Sequence, residues 1–449
     1  MGRLFGTDGA RGIANSELTV ELAMGIGRAA ASVLARDGRR RPVFVIGQDT
    51  RISSDMLECA LIAGLCSVGA DVIRLGVIPT PAVAFLVGKY KADAGIMISA
   101  SHNPAEFNGI KIFSGEGYKL PDMLEEEIES IVLDGAGELE QPIGGEVGKV
   151  TVATNAVRDY IDHLKSTVLY ALDGMRIAVD CANGASSMTA AQLFAELNAD
   201  VDILYDKPDG ININNDCGST HMENLAKYVV ENKMDMGVAF DGDADRCLCV
   251  DENGNMVDGD QIMAICALDL KERGKLSGNA VVGTIMTNFG FGKFCKDNDL
   301  LFSATKVGDR FVLEEMLLKG YAFGGEQSGH IIFRDFATTG DGQLTAIQLL
   351  SYIKRSGAKL SELTGVMTKY PQFSINVKIS NEGKVKFYTN NKIKAAQKAA
   401  EKALGSDGRI VVRPSGTEPL IRVMAEGSNE ALVREQTEAV ANVIREQLT

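Results

Sequence analysis

The 449-residue sequence has no tryptophan, only four histidines and ten prolines, and its aromatics amount to 6%. No apolar run approaches the ~18 residues of a membrane span, and the start, Met1-Gly-Arg-Leu-Phe-Gly6, has no apolar signal core. The eight cysteines form no CxxC pair and have no histidine at metal spacing, so reduced, buried thiols are expected. Cys247 and Cys249 are the tightest pair, and alternate strand residues point to one face. A basic surplus is also missing. Net charge is −14 at pH 7, so the surface should repel nucleic acid and anionic membranes. These absences point to a cytoplasmic protein with neither nucleic acid nor membrane as partner. If such a chain binds an anion, its Arg and Lys must be gathered locally.

Glycine, by contrast, is abundant at 48 residues, and it supplies tight turns and close backbone approach to ligands. With 45% hydrophobic and 24% charged residues the composition is that of a globular protein, too long for one core, and ~100–150 residues per domain give three or four. Residues 1–150 alternate strands and helices, among them strands at Pro42–Gly47 and Ala94–Ser99 and a Gly/Glu-rich linker at 135–148. A second unit, 154–256, carries strands Met175–Asp180 and Asp235–Phe240. A third, 257–369, has strands Val281–Ile285 and Leu301–Thr305 and a helix Asp309–Lys319. The last, 370–449, differs, with a strand, a helix, a hairpin and a terminal helix. The expected fold class is therefore α/β: three similar α/β domains with mixed sheets, then an α+β C-terminal domain.

Four polar loops follow apolar structure and concentrate reactive side chains, as loops at strand ends do in α/β proteins. In Ser99-Ala-Ser-His-Asn-Pro104 a serine can be a nucleophile, a helix cap or a turn residue, and adjacent Ser and His rarely face each other. Asp241-Gly-Asp-Ala-Asp-Arg246 sets three carboxylates at alternate positions, and these would repel without a cation. An EF-hand is excluded, because Arg246 stands where that loop needs glycine and the flanks read as strands. Three carboxylates that leave coordination positions open for phosphate oxygens suit Mg²⁺. Gly324-Gly-Glu-Gln-Ser-Gly-His330 spaces Glu326, Ser328 and His330 alternately, and a carboxylate with a serine suits paired sugar hydroxyls. In Arg413-Pro-Ser-Gly-Thr-Glu-Pro419, with Arg422 on the returning strand, the Arg, Ser415, Thr417 and backbone N–H groups at Gly416 can chelate phosphate. Arg11, in a glycine-flexed turn, and Lys111, just past the serine loop, add positive charge.

Taken together, in chain order and across nearly the whole length, these loops resemble the α-D-phosphohexomutase family. The resemblance implies four domains around a central cleft, the last able to rotate. It makes Ser101 the phosphoserine, and Asp241, Asp243 and Asp245 the ligands of one Mg²⁺ per chain, completed by an oxygen on Ser101. It assigns Glu326 and Ser328 to the sugar hydroxyls and Arg413, Ser415, Gly416, Thr417 and Arg422 to the non-reacting phosphate. His102, Lys111, Arg11, Arg246 and His330 fall among the catalytic residues, with His330 and Lys111 nominated for proton transfer. Phe5–Gly12, Gly117–Leu120, Thr305–Arg310 and the Gly325–Ile331 string resemble the subgroup acting on glucosamine phosphates. Sister enzymes for glucose or mannose phosphates tend to carry Gly-His at 308–309. The implied reaction exchanges glucosamine 6-phosphate and 1-phosphate, primed by a sugar 1,6-bisphosphate, with a hexosamine phosphate as the one small-molecule partner and a monomer or homodimer as the assembly. A metal-dependent sugar phosphatase is the more distant alternative.

Overall fold

The computed structural model describes residues 3–6, 8–35, 41–137, 139–415 and 419–448. The chain forms two compact units, one of residues 1–284 with 305–365 and one of residues 285–304 with 366–449.

In the first unit, a seven-stranded mixed sheet runs in the order Phe5–Gly6, Gly9–Ile13, Phe107–Ser114, Ala94–Ile98, Val43–Gln48, Asp71–Val77, Val150–Val152. Its central strands, Val43–Gln48 and Ala94–Ile98, are parallel, and Ala94–Ile98 reads as a continuous apolar run because both faces are covered. On one face the helices Val20–Leu34, Ile52–Ser67 and Asp122–Asp134 bury a core of Ile26, Phe44, Leu57, Leu61 and Ile128. The stretch read as a linker returns the chain to the sheet, and Val150–Val152 adds an edge strand parallel to Asp71–Val77.

A five-stranded sheet follows, ordered Met256–Val257, Cys247–Asp251, Met236–Phe240, Arg176–Asp180, Asp200–Leu204. Met236–Phe240 and Cys247–Asp251 pair antiparallel, so the acidic loop is the connection of a strand hairpin and the helical flanks of an EF-hand are absent. In the third sheet Ala280–Thr284 pairs parallel with Phe323–Gly325, which pairs antiparallel with Ile331–Phe333.

The second unit is a three-stranded antiparallel sheet, Gln372–Lys378, Leu420–Gly427, Gly408–Pro414, covered by helices Asn391–Leu404 and Glu430–Leu448. Ile285–Ala304, read in the sequence as part of the third domain, groups by contact with this unit. Among the bonds that join it, Glu426 accepts from the Phe289 N–H and pairs with Arg409, which also donates to the Thr287 carbonyl. Cys181, Cys217, Cys247, Cys249, Cys266 and Cys295 are free and buried, as expected, but Cys59 is exposed and Cys66 only half-buried against the core. Among the described residues no helix is long and apolar enough to cross a membrane.

Candidate active site

The strand Ala94–Ile98 ends in the serine loop, and a buried arginine from the next loop holds that loop in shape. Arg51 donates to the carbonyls of Ser101 at 3.0 Å, Asn103 at 2.8 Å, Phe107 at 3.0 Å and Pro104. Its Nε donates to Asp49 Oδ2 at 2.8 Å, and both side chains are fully buried. Asp49 also accepts from the hydroxyls of Ser54 and Ser99, so the buried ion pair is hydrogen-bonded on all sides, the condition under which burial of charge is tolerated. Ser99 Oγ in turn accepts from the Ser101 N–H at 2.9 Å. Ser101 sits at φ 52, a left-handed conformation that non-glycine residues rarely adopt without being held there.

Its hydroxyl donates to Asp241 Oδ2 at 2.6 Å and lies 3.3 Å from His102 Nδ1. Adjacent Ser and His therefore do meet here, because the left-handed backbone at Ser101 turns the two side chains together. Burial, then the charges of Arg246 and Arg11, push the His102 imidazole down to about 4, leaving it neutral near pH 7. Gly242 packs against this turn: a Cβ there would come within 2.6 Å of the Ser101 carbonyl oxygen.

Asp241, Asp243 and Asp245 bring one carboxylate oxygen each to within 4.8 Å of one another; among the described residues no other such group of three or more converges. The Oδ1 atoms of Asp243 and Asp245 are buried without a hydrogen-bond partner. Burial, then Asp245 and Asp243, hold the Asp241 carboxyl well above the usual carboxylate range. Orphaned hard oxygens around mutually repelling carboxylates fit a divalent cation. Adding Mg²⁺ to metal-stripped protein is expected to raise its melting temperature, with ~2–3 kcal/mol gained at a hundredfold excess over Kd. An Asp245→Asn variant should show little of that rise in the same melting experiment, and a wild type indifferent to the cation would rule the site out.

Lys111 Nζ lies 2.7 Å from Asp243 Oδ2, 3.0 Å from Asp8 Oδ2 and 3.4 Å from Asp245 Oδ2. Burial opposes its charge, but Asp243, Asp8 and Asp245 hold it well above the ordinary lysine range, so it is an ammonium. Arg11 pairs with Asp8 at 2.7 Å and lies 3.4 Å from Asn103 Oδ1, and Arg246 Nε stands 4.0 Å from both Asp241 and Asp245.

The third loop is the turn between strands Phe323–Gly325 and Ile331–Phe333. Gly329, at φ 92, lets the turn close on strand Cys247–Asp251, where a Cβ would strike the Cys247 carbonyl at 2.3 Å. His330 is brought to 3.6 Å from Asp245 and 3.4 Å from Asp309, with Nε2 accepting from the Gly340 N–H at 3.0 Å. Burial lowers its pKa and the two carboxylates raise it, with a net rise. Glu326 Oε1 accepts from the Gly308 N–H at 3.1 Å; burial, then Asp309, push its carboxyl up. Ser328 Oγ is buried without a partner.

In the second unit Arg413 and Arg422 are directly opposed across the antiparallel ladder. Like charges in that register repel, and burial with Arg422 lowers the Arg413 pKa, so an anion is the natural complement. Ser415 is buried beside them. Gly416 and Thr417, named for the same role, lie outside the described residues.

The structure thus brings Ser101, His102, Arg11, Lys111, the three aspartates, Arg246, Glu326 and His330 into one linked network. Sequence reasoning missed Asp49 and Arg51, although Gln48-Asp-Thr-Arg51 is also a polar loop at the end of a buried strand. Asp8, Lys119 and Asp309 were missed as site residues too: Lys119 bridges Asp8 at 2.6 Å and Asp309.

Domain models of phosphoglucomutase/phosphomannomutase match residues 2–137 (alpha/beta/alpha domain I), 158–254 (domain II), 258–370 (domain III) and 375–443 (C-terminal domain), and the chain belongs to that family of four-domain α/β mutases. It is 54% identical over 449 residues to the phosphoglucosamine mutase of Ruminiclostridium cellulolyticum, covering 100% of both chains. The phosphoglucosamine mutase of Caldanaerobacter subterraneus is 55% identical over 448 residues, again at 100% coverage of each. A phosphoglucomutase/phosphomannomutase family protein from Burkholderia thailandensis shares the fold, with a TM-score of 0.83 at 21% identity over 100% of this chain and 99% of that one.

Proposed function

We propose that this enzyme interconverts glucosamine 6-phosphate and glucosamine 1-phosphate through phosphorylated Ser101 and a sugar 1,6-bisphosphate, in the cytoplasm, for amino-sugar nucleotide synthesis. The observation that carries the reading is the nucleophile inside the acidic loop: Ser101 Oγ lies 2.6 Å from Asp241, on a backbone held in place by Arg51. The amino sugar is supported by relatives named phosphoglucosamine mutase at 53–55% identity.

Asp241, Asp243 and Asp245 would hold Mg²⁺, whose charge, when bound, neutralises phosphoryl oxygens. In the forward step the P–O bond to Ser101 Oγ breaks as phosphorus bonds to the sugar's 1-oxygen. The hydroxyl proton leaves to the enzyme and a proton is returned to Ser101 Oγ. Lys111, held as an ammonium, and His330, between Asp245 and Asp309, are the groups nominated to carry these protons. Arg11 and Arg246 add positive charge where phosphoryl charge develops. Glu326 and Ser328 accept and donate to sugar hydroxyls, and Arg413, Ser415 and Arg422 are assigned the non-reacting phosphate. After the bisphosphate turns end for end, Ser101 takes back the 6-phosphoryl group and glucosamine 1-phosphate leaves.

The test is turnover of glucosamine, glucose and mannose 1-phosphates side by side, with Mg²⁺ and a trace of sugar bisphosphate. Clear preference for the glucosamine compound is expected. Preference for glucose or mannose would move the protein to a sister mutase activity, and release of free phosphate would make it a phosphatase.

A further inference from the structure

The carbonyls of residues 241–244 are each taken by an N–H. Ala244 donates to Asp241 at 3.0 Å, Ala185 to Gly242 at 2.8 Å, Thr80 to Asp243 at 2.9 Å and Gly342 to Ala244 at 3.0 Å. Of these donors Thr80 also brings its side chain, with Oγ1 donating to Asp243 Oδ2 at 2.6 Å. Thr80 therefore grips a single aspartate at two points, once on the main chain and once on the carboxylate.

The local sequence explains how it gets there. At Ile78-Pro-Thr-Pro81 the chain leaves strand Asp71–Val77 and starts helix Thr80–Lys89, with Pro79 as the cap and Pro81 in the first turn. The fixed φ of proline starts the helix sharply, and the Thr80 N–H is one of the donors that a helix start leaves without an internal acceptor. Asp243 supplies that acceptor from another part of the chain. Thr80 is fully buried, and a β-branched side chain in a packed helix has at most two χ1 rotamers, so its hydroxyl is aimed.

The two oxygens of Asp243 are thereby made unequal. Oδ2 accepts from Thr80 Oγ1 at 2.6 Å and from Lys111 Nζ at 2.7 Å, whereas Oδ1 is buried without a hydrogen-bond partner. Lys111 does not make this choice alone, because its Nζ is shared with Asp8 and Asp245 and an ammonium is a compact point charge. We propose that Thr80 is a positioning residue for the metal site: its hydroxyl holds Oδ2 and leaves Oδ1 as the oxygen Asp243 gives to a divalent cation. This rests on the reading of 241–245 as the metal loop. A carboxylate already held in its rotamer loses less freedom on binding, so the grip acts on metal affinity and not on the transfer step.

The experiment titrates metal-stripped protein with Mn²⁺, a cation suited to the same oxygen ligands, and counts the free ion by electron paramagnetic resonance. Thr80→Val replaces the hydroxyl by a methyl of the same shape, and its Kd for Mn²⁺ should rise ~10–100-fold, the scale on which partners of metal ligands act. Thr80→Ser keeps the hydroxyl and should stay within a few-fold of wild type. In turnover, the Mg²⁺ midpoint of Thr80→Val should move by the same factor while kcat at saturating Mg²⁺ stays near wild type. A Thr80 that served the fold alone would lower kcat at every Mg²⁺ concentration and leave the Mn²⁺ Kd unchanged. Should Thr80→Val fail to fold, Thr80→Ala, which loses the same hydroxyl with less bulk, is read by the same titration. A hydroxyl-free variant that binds Mn²⁺ as tightly as wild type, or a serine variant as weak as the valine one, overturns the assignment and leaves the metal loop standing. A wild type that binds no Mn²⁺ removes the metal loop, and the assignment with it.

Discussion

Replacing Ser101 by alanine is expected to lower turnover by ~10⁴-fold or more, the scale on which nucleophile deletions act. The protein itself should melt close to wild type. The prediction is clean because the backbone is not the variable: alanine and serine pay the same penalty for φ 52, and Arg51 and Asn214 bind the carbonyl of residue 101, not its side chain. What disappears is the hydroxyl, the donor 2.6 Å from Asp241 and the only proposed attachment point for the phosphoryl group. Single-turnover transfer from a labelled sugar bisphosphate gives the sharper readout, since wild type should become labelled and the variant should not. Near-normal activity in Ser101→Ala would end the phosphoserine scheme.

Arg51→Met should unfold the site without touching any reacting atom. The substitution keeps much of the apolar stem but strips Asp49 of its charged partner and four loop carbonyls of a donor. Breaking one side of a buried, hydrogen-bonded pair costs ~3–5 kcal/mol, because the remaining charge stays buried alone. Denaturant unfolding should report that loss, and kcat should fall with it, as the Ser101 carbonyl keeps only Asn214 as a side-chain donor among the described residues. The companion Asp49→Asn, which leaves a neutral acceptor for Arg51 and both serines, should lose less. If Arg51→Met left both stability and kcat near wild type, the serine loop would have to be rigid for another reason.

Much of this was legible from residues alone, for a physical reason. Period-2 and buried apolar runs place strands such as Ala94–Ile98 and Met236–Phe240, and short polar loops at their ends stand out against them. Helix Asp309–Lys319 and strand Leu301–Thr305 fall where the periodicity puts them. The edge strand Val150–Val152 was not legible, since an exposed three-residue strand has no burial pattern to leave in the sequence. Nor were the contacts of Ile285–Ala304 with the C-terminal unit, such as Glu426, more than a hundred residues away, accepting from the Phe289 N–H. The candidate site divides similarly. The serine loop, the acidic loop and the loop at 324–330 each stand out as polar runs after apolar structure, and the roles expected of Ser101, Glu326 and Ser328 came from the resemblance. Asp8, Lys119 and Asp309 do not, because each is a single ordinary charge whose meaning comes only from the partner that folding brings to it.

The backbone contact at Gly242 bears on how the enzyme can change. A Cβ at 242 would reach the Ser101 carbonyl at 2.6 Å, and one at Gly184 would reach the Gly242 carbonyl at 2.3 Å. Three loops are therefore stacked main chain on main chain, with the Ile213 and Asn214 side chains closing on Gly242 from beside. The spacing of nucleophile and acidic loop cannot drift by small substitutions, since every step away from glycine is large. Variation is left to the turn proposed to read the sugar, where side chains and not peptide planes would meet the ligand. In a mutational library selected for activity, columns 184 and 242 should empty to glycine while 327 stays populated, so change would be admitted at that turn and not where the serine and acidic loops meet.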